Sequence, residues 1–210
     1  MLTRIIQAGG KAIAVKADVS VEHEVIKLFD FAENTFGLVT HLVNNAGILL
    51  PQSCLVDLDV ARFNQMMLTN VTSCFLCSRA FIKRIQANVR VKQHALNSAI
   101  VNVSSAAAKS GAPFEYIDYA ASKGAMDAIT TGLSVEVAGK GIRVNDVRPG
   151  FIHTQMHADG GEPHRVARLA SQIPLKRGGT PEEVANAIAW LLSDEASYVT
   201  GSFIDLAGGK

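Results

Sequence analysis

Residues His41–Gly47 read HLVNNAG, a short apolar run closed by two asparagines and a small-residue turn. The pattern returns at Ile100–Ser105, IVNVSS, and at Val144–Gly150, VNDVRPG. Each is a strand candidate that delivers small polar residues to its C-terminal end. Working outward, the strand candidates are Lys11–Ala17, His41–Ala46, Ser98–Ser105, Ile142–Val147 and Ser202–Leu206, with longer helical patterns between them. Strands separated by helices argue for an α/β fold with a doubly wound parallel sheet covered on both faces. Parallel sheets bind ligands beyond the carboxyl ends of their strands, so these polar endings mark the edge where chemistry is expected.

Composition narrows the classes. With 48% hydrophobic and 19% charged residues among 210, the chain can bury a sizeable core, and a single domain over 1–210 is expected. A formal net charge of +1 without a Lys/Arg run argues against nucleic acid as a partner. No apolar stretch approaches the ~18 residues of a bilayer span. The first residues lack the apolar core and cleavage site of a signal peptide, so no membrane partner is expected and the expected location is cytoplasmic. Three cysteines, an odd number, read as reduced thiols. Cys74 and Cys77 form a C-x-x-C, but inside TNVTSCFLCSRAFI the spacing is helical, and buried packing explains them without a metal. His153, His157 and His164 are irregularly spaced and read as solvated or substrate-lining, so no metal is assigned to them either.

Local signals place the remaining elements. Leu2, Ile5, Ile6 and Ala8 have helical spacing and run into Gly9-Gly10, a helix stop, after which Lys11–Ala17 alternates like a strand. Thr180-Pro181-Glu182-Glu183 reads as an N-cap, a first-turn proline and a capping-box glutamate. Val184, Ala187, Ile188, Leu191 and Leu192 then share one helical face. Gln86–Asn97 is polar and irregular and reads as a surface connection. Residues 151–179, rich in Gly, His and Arg, are long for a connection and are expected to be a substrate-binding loop or lid.

Downstream of IVNVSS lies YAASK, with Tyr119 and Lys123 four residues apart. On a helix both fall on one face, so an ammonium near the phenol favours its ionised form. A phenol tuned this way exchanges a proton with an alcohol or carbonyl near neutral pH. Tyr116 lacks such a partner, because the residue four along is Ala120. Taken singly, Asn44-Asn45 reads as a turn, Pro149-Gly150 as a loop mark and Asn70 as a helix-interior polar group.

In order and spacing, Asn44-Asn45-Ala46-Gly47, Asn70 in TNVTS, Ser105, Tyr119-x-x-x-Lys123 and Pro149-Gly150 with Thr154 resemble the short-chain dehydrogenase/reductase family. The likeness runs from about Ile5 to Gly209, closes on YVTGSFIDLAGG, and is strongest to sugar-dehydrogenase-like and acyl-carrier-reductase-like bacterial members. It implies a Rossmann-like sheet, NAD or NADP as cofactor, and interconversion of an alcohol and a carbonyl by hydride transfer. Tyr119 is then the general acid/base, and Lys123 lowers its pKa and holds the nicotinamide ribose. Ser105 holds the reacting oxygen, and Asn70 completes a proton relay through water and Lys123. For the cofactor the resemblance implies Asp18 and Val19 at adenine and Asn45, Ala46 and Gly47 at the adenosine ribose. Pro149, Gly150, Ile152 and Thr154 flank the nicotinamide. A homotetramer is the implied assembly.

The family also begins with a strand, a glycine-rich turn, a helix and a second strand, and no counterpart to these is found here. Gly9-Gly10, Gly160-Gly161, Gly178-Gly179 and Gly208-Gly209 do not follow a strand and open a helix, so the phosphate-binding turn is expected to be absent. The chain therefore reads as N-terminally truncated, lacking the family's first strand, first helix and second strand. Without that turn the 210-residue chain is not expected to bind the cofactor usefully. Lys11–Ala17 is expected either to stay loose or to join a five-stranded sheet. Two functions remain: an oxidoreductase, or an inactive or purely binding remnant of one.

Overall fold

The computed structural model describes residues 2–92 and 97–210. Helix α1 (Leu2–Gln7) stops at the glycine pair, where Gly9 takes φ +82° and Gly10 N–H donates to Ile5 O at 2.9 Å. Beyond it come α2 (Glu22–Phe36), β1 (His41–Asn44) and α3 (Val60–Met67). A π-helical turn, Leu68–Thr72, joins α3 to α4 (Ser73–Lys92). Then follow β2 (Ser98–Val103), the short α5 (Ala107–Ser110), α6 (Ile117–Ala138) and β3 (Ile142–Pro149). Two short helices, α7 (Met156–Asp159) and α8 (Arg165–Leu169), precede α9 (Pro181–Leu192) and β4 (Phe203–Leu206).

The sheet runs β1-β2-β3-β4, every pair parallel. Side-chain period two divides its faces. Ile100 and Val144 pack with Phe81, Ile85, Phe29 and Val137 of α4, α2 and α6 on one face. Val101 and Val147 meet Leu191, Val184, Ala187 and Ile188 of α9 on the other, the face read for that helix from its sequence. The doubly wound arrangement is thus present, with the strand ends on one edge. No helix among the described residues is long and apolar enough to cross a membrane. Cys74 and Cys77 are buried thiols within α4.

Two sequence expectations are corrected. Lys11–Ala17, read as a strand candidate, belongs to no strand: of its two expected fates it takes the one outside the sheet, which has four strands among the described residues. Alternation in a sequence selects which face a strand would bury, but a strand forms only when a neighbour takes up its backbone groups. The polar segment from Gln86 continues α4 as far as Lys92 instead of forming a connection, because Phe81 and Ile85 anchor the preceding turns in the core. Residues 93–96 of that connection lie outside the described residues.

Helix α9 is fixed at both ends. Thr180 Oγ1 accepts from Glu183 N–H at 3.3 Å, and Glu183 Oε2 accepts from Thr180 N–H at 2.8 Å. At the other end the buried Arg143 guanidinium donates to Leu191 O at 2.6 Å and Ser193 O at 3.1 Å, filling carbonyls the helix leaves open. Thr180→Ala is expected to cost about 0.5–2 kcal/mol, read as a lower urea midpoint, and Thr180→Ser to keep most of that.

Candidate active site

The Asn70 side chain is fully buried in the π-helical turn, and such turns frequently sit at functional sites. Its Oδ1 accepts from Ile48 N–H at 2.8 Å, and its Nδ2 donates to Ile48 O at 3.1 Å and to Ser122 Oγ at 3.0 Å. Ser122 in turn donates to Tyr119 O at 2.7 Å, tying the amide to α6. Gly47 sits against this clamp: a methyl group there would press to 3.2 Å from Asn70 Oδ1 and 3.6 Å from Lys123 Nζ.

Tyr119 and Lys123 share one face of α6, as their spacing predicts. The Tyr119 ring is buried among Leu49, Met66 and Tyr116, and its hydroxyl lies 4.0 Å from Met156 Sδ. Lys123 Nζ lies 5.6 Å from the Tyr119 ring centroid and donates to Val103 O at 2.8 Å. The expected lowering of the phenol pKa is not found: burial pushes Tyr119 up to about 12, opposed by the Ser105 side chain. Lys123 has turned its protons to Val103 O and Met126 Sδ, so its charge does not offset the cost of a buried phenolate. Burial lowers Lys123 itself to about 8, against the pull of Asp146, Cys74 and Asp127.

Ser105 stands where β2 ends. Its hydroxyl accepts from Ala107 N–H at 3.1 Å and donates to Pro149 O at 3.5 Å, linking the ends of β2 and β3. Ala106 N–H also donates to Pro149 O at 2.9 Å. A Cβ on Gly150 would fall 2.9 Å from the Ala207 backbone, so the close approach of the ends of β3 and β4 requires glycine. Ile152 bridges to Gly179, and Thr154 is exposed.

Asn45 and Ala46 emerge from β1 and join Val19 in lining a cavity of about 250 Å³ that also reaches Leu42, Ser73 and Cys77. Asp18 is engaged locally: its Oδ1 accepts from the Ser20 hydroxyl at 2.6 Å and Ser20 N–H at 2.9 Å, which holds the carboxyl below its ordinary pKa. Asn45, Ala46 and Val19 are thus brought together, while Asp18 bonds only within its own turn and the start of α2.

Residues 151–179 fold over the Tyr119 wall. Arg165 donates to Glu162 at 2.7 Å, pairs with Glu115, and lies 5.2 Å from the Tyr116 ring centroid and 5.5 Å from that of Phe151. Tyr116 OH donates to Gly160 O at 3.3 Å. His157 stacks on Phe151, and burial followed by the Arg165 charge keeps it below the ordinary histidine pKa. No His/Cys/Asp/Glu group suited to a metal occurs among the described residues. Sequence reasoning missed Ser122, Met156 and Arg165. Of these, only Arg165 carried a signal, as one of the basic residues of the long connection.

A family model described as enoyl-(acyl carrier protein) reductase matches residues 1–210. The uncharacterised oxidoreductase YgfF of Escherichia coli (strain K12) is 57% identical over 210 residues, 100% of this chain and 83% of that protein. A crystal structure of a short-chain type dehydrogenase/reductase from Mycobacterium marinum superposes with a TM-score of 0.89 at 31% identity, covering 99% of this chain and 78% of that one. The 3-ketoacyl-(acyl-carrier-protein) reductase from Brucella melitensis, complexed with NADH, gives 0.87 at 31% identity over 99% and 82%.

Arg165→Leu should release residues 151–179 before the core melts, because it leaves Glu115 and Glu162 without their shared cation. The expected cost is about 1–3 kcal/mol, since both carboxylates keep some contact with water. Limited proteolysis should then cut first within 151–179, at temperatures where the sheet is intact.

Proposed function

The chain belongs to the short-chain dehydrogenase/reductase family, and from that premise we propose that it is an NAD(P)-dependent oxidoreductase interconverting an alcohol and a carbonyl. The observation that carries this reading is the convergence of Tyr119, Lys123, Ser105 and Asn70 at the strand ends. In reduction, the Tyr119 hydroxyl gives its proton to the carbonyl oxygen while the Ser105 hydroxyl holds that oxygen by a hydrogen bond. A phenol pushed up to about 12 is protonated at neutral pH, the state that donation requires. The reverse direction needs Lys123 to turn its ammonium toward the phenol, so that the ionised form is stabilised. Asn70 lies beside Lys123 across Gly47, the placement that a relay of protons through water and Lys123 needs.

NAD or NADP, when bound, supplies or accepts the hydride. Gly150, packed closely against Ala207, and the Lys123 ammonium fit its nicotinamide ribose half, with Pro149, Ile152 and Thr154 alongside. Asn45, Ala46 and Val19, in one cavity, suit the adenosine half together with Gly47, and Asp18 lies in the turn that precedes Val19. For the pyrophosphate the fit stops, because no glycine pair among the described residues follows a strand and opens a helix. The second reading is a non-catalytic binding protein of the same family.

The substrate is a small alcohol or carbonyl bound under residues 151–179, where Leu49, Tyr116 and Met156 form the wall. Assembly as a homotetramer in the cytoplasm completes the reading. Phe75 of α4 and Val135 of α6 point outward, in keeping with helices that pair between subunits.

Reduction of carbonyls, followed through consumption of NADH or NADPH, tests the catalytic reading. Tyr119→Phe should slow it about 100- to 10,000-fold while leaving cofactor affinity in place. Lys123→Ala should weaken both turnover and cofactor binding. Near-normal turnover by the phenylalanine variant contradicts the role of Tyr119. No titratable binding of either cofactor by the unmodified chain turns the choice to the second reading.

A further inference from the structure

The three strand endings each place one polar residue at the same register. Asn44 is paired with Asn102, and Asn102 with Asp146, across β1, β2 and β3. All three are buried on the face toward α4 and α6. Asn44 Nδ2 donates to Ser78 Oγ at 3.0 Å and to Asn102 Oδ1 at 2.8 Å, which fixes the Asn102 amide so that its Nδ2 donates to Thr130 Oγ1 at 2.8 Å. Thr130 then has one proton and two places for it: Met126 O at 3.0 Å, one turn back on α6, and Asp146 Oδ2 at 3.3 Å. Given to the nearer oxygen, it leaves a Thr130 lone pair facing Asp146, and the proton in that last contact belongs to the carboxyl. Asp146 Oδ1 has no partner, a state tolerable for a neutral carbonyl and costly for a buried anion.

We propose that Asp146 is held as a neutral carboxylic acid, the end donor of the Asn44–Asn102–Thr130 chain, and is thereby a positioning residue that leaves the Lys123 ammonium free to face Val103 O and the Tyr119 ring. The charged and titratable groups around it are Lys123 and Asp127 from α6, Arg148 from its own strand and Cys74 from α4. Arg148 is already spent on Asp127, at 2.7 and 3.1 Å, and lies 3.8 Å from Asp205. Burial, reinforced by the Asp127 charge, raises the Asp146 carboxyl to about 8. Ionised, it would draw the Lys123 ammonium to itself and away from Tyr119. The importance of that displacement rests on the proposed catalytic role of Lys123; the protonation state of Asp146 does not.

An aspartate that ionises near pH 3.9 when unfolded and near 8 when folded binds an extra proton in the folded state between those values. Its contribution is therefore most favourable below about pH 4, falls as pH rises, and levels off above about pH 8. Asp146→Asn keeps a donor toward Thr130 and cannot ionise. Its stability relative to the unmodified chain should grow with pH across that window, by up to about tenfold per pH unit in the unfolding equilibrium. A constant deficit of the asparagine variant across the window overturns the proposal, since that is the mark of an aspartate already ionised. Carbon-13 NMR of labelled aspartate carboxyls in the unmodified chain gives a reading that needs no variant and no turnover. One aspartate should titrate far above the rest, and its absence overturns the proposal even if the variant fails to fold or the chain proves inactive.

Discussion

The Asn70 amide fastens three parts of the chain at one point: the turn leaving β1 through Ile48, the π-helical break between α3 and α4, and the second turn of α6 through Ser122. Its bonds contribute roughly 2–4 kcal/mol, a large share of a domain's ~5–15 kcal/mol. The geometry they impose matters as much. Gly47 is drawn against Lys123, and Ser122 is held one turn from Tyr119, so both Tyr119 and Lys123 of α6 are set relative to the end of β1. A regular α-helical path through Leu68–Thr72 would rotate Asn70 away from Ile48, and the π-helical turn is the local cost of aiming it there.

Around that clamp the electrostatics are governed by burial. Tyr119, Lys123 and Asp146 are all displaced toward their neutral forms, and burial is the leading cause in each. Neutral Tyr119 is therefore favoured at neutral pH, while Arg148 and Asp127 neutralise each other nearby. By contrast the ion pairs of Arg165 do mechanical work, holding residues 151–179 over the Tyr119 wall.

Much of this was legible in the residues. The endings HLVNNAG, IVNVSS and VNDVRPG mark β1, β2 and β3, and the Thr180–Glu183 box marks the start of α9. These are local signals of strand and cap, and local signals are what sequence carries best. Lys11–Ala17 shows the converse, since its alternation says nothing of a partner and it pairs with none among the described residues. The i,i+4 spacing of Tyr119 and Lys123 located the pair but not their pKa values, which depend on how deeply each is buried and on where the Lys123 protons go. The Asn44–Asn102–Asp146 row was hidden because register between strands is a tertiary fact.

The claim that Asn70 organises the site is tested most directly by amide hydrogen exchange at Ile48, whose N–H is bonded to Asn70 Oδ1. The account predicts that this amide exchanges slowly in the unmodified chain and becomes fast in Asn70→Ala, while the amides of β2 and β3 keep their protection. An Ile48 amide that is already unprotected, or that is indifferent to the substitution, would contradict it.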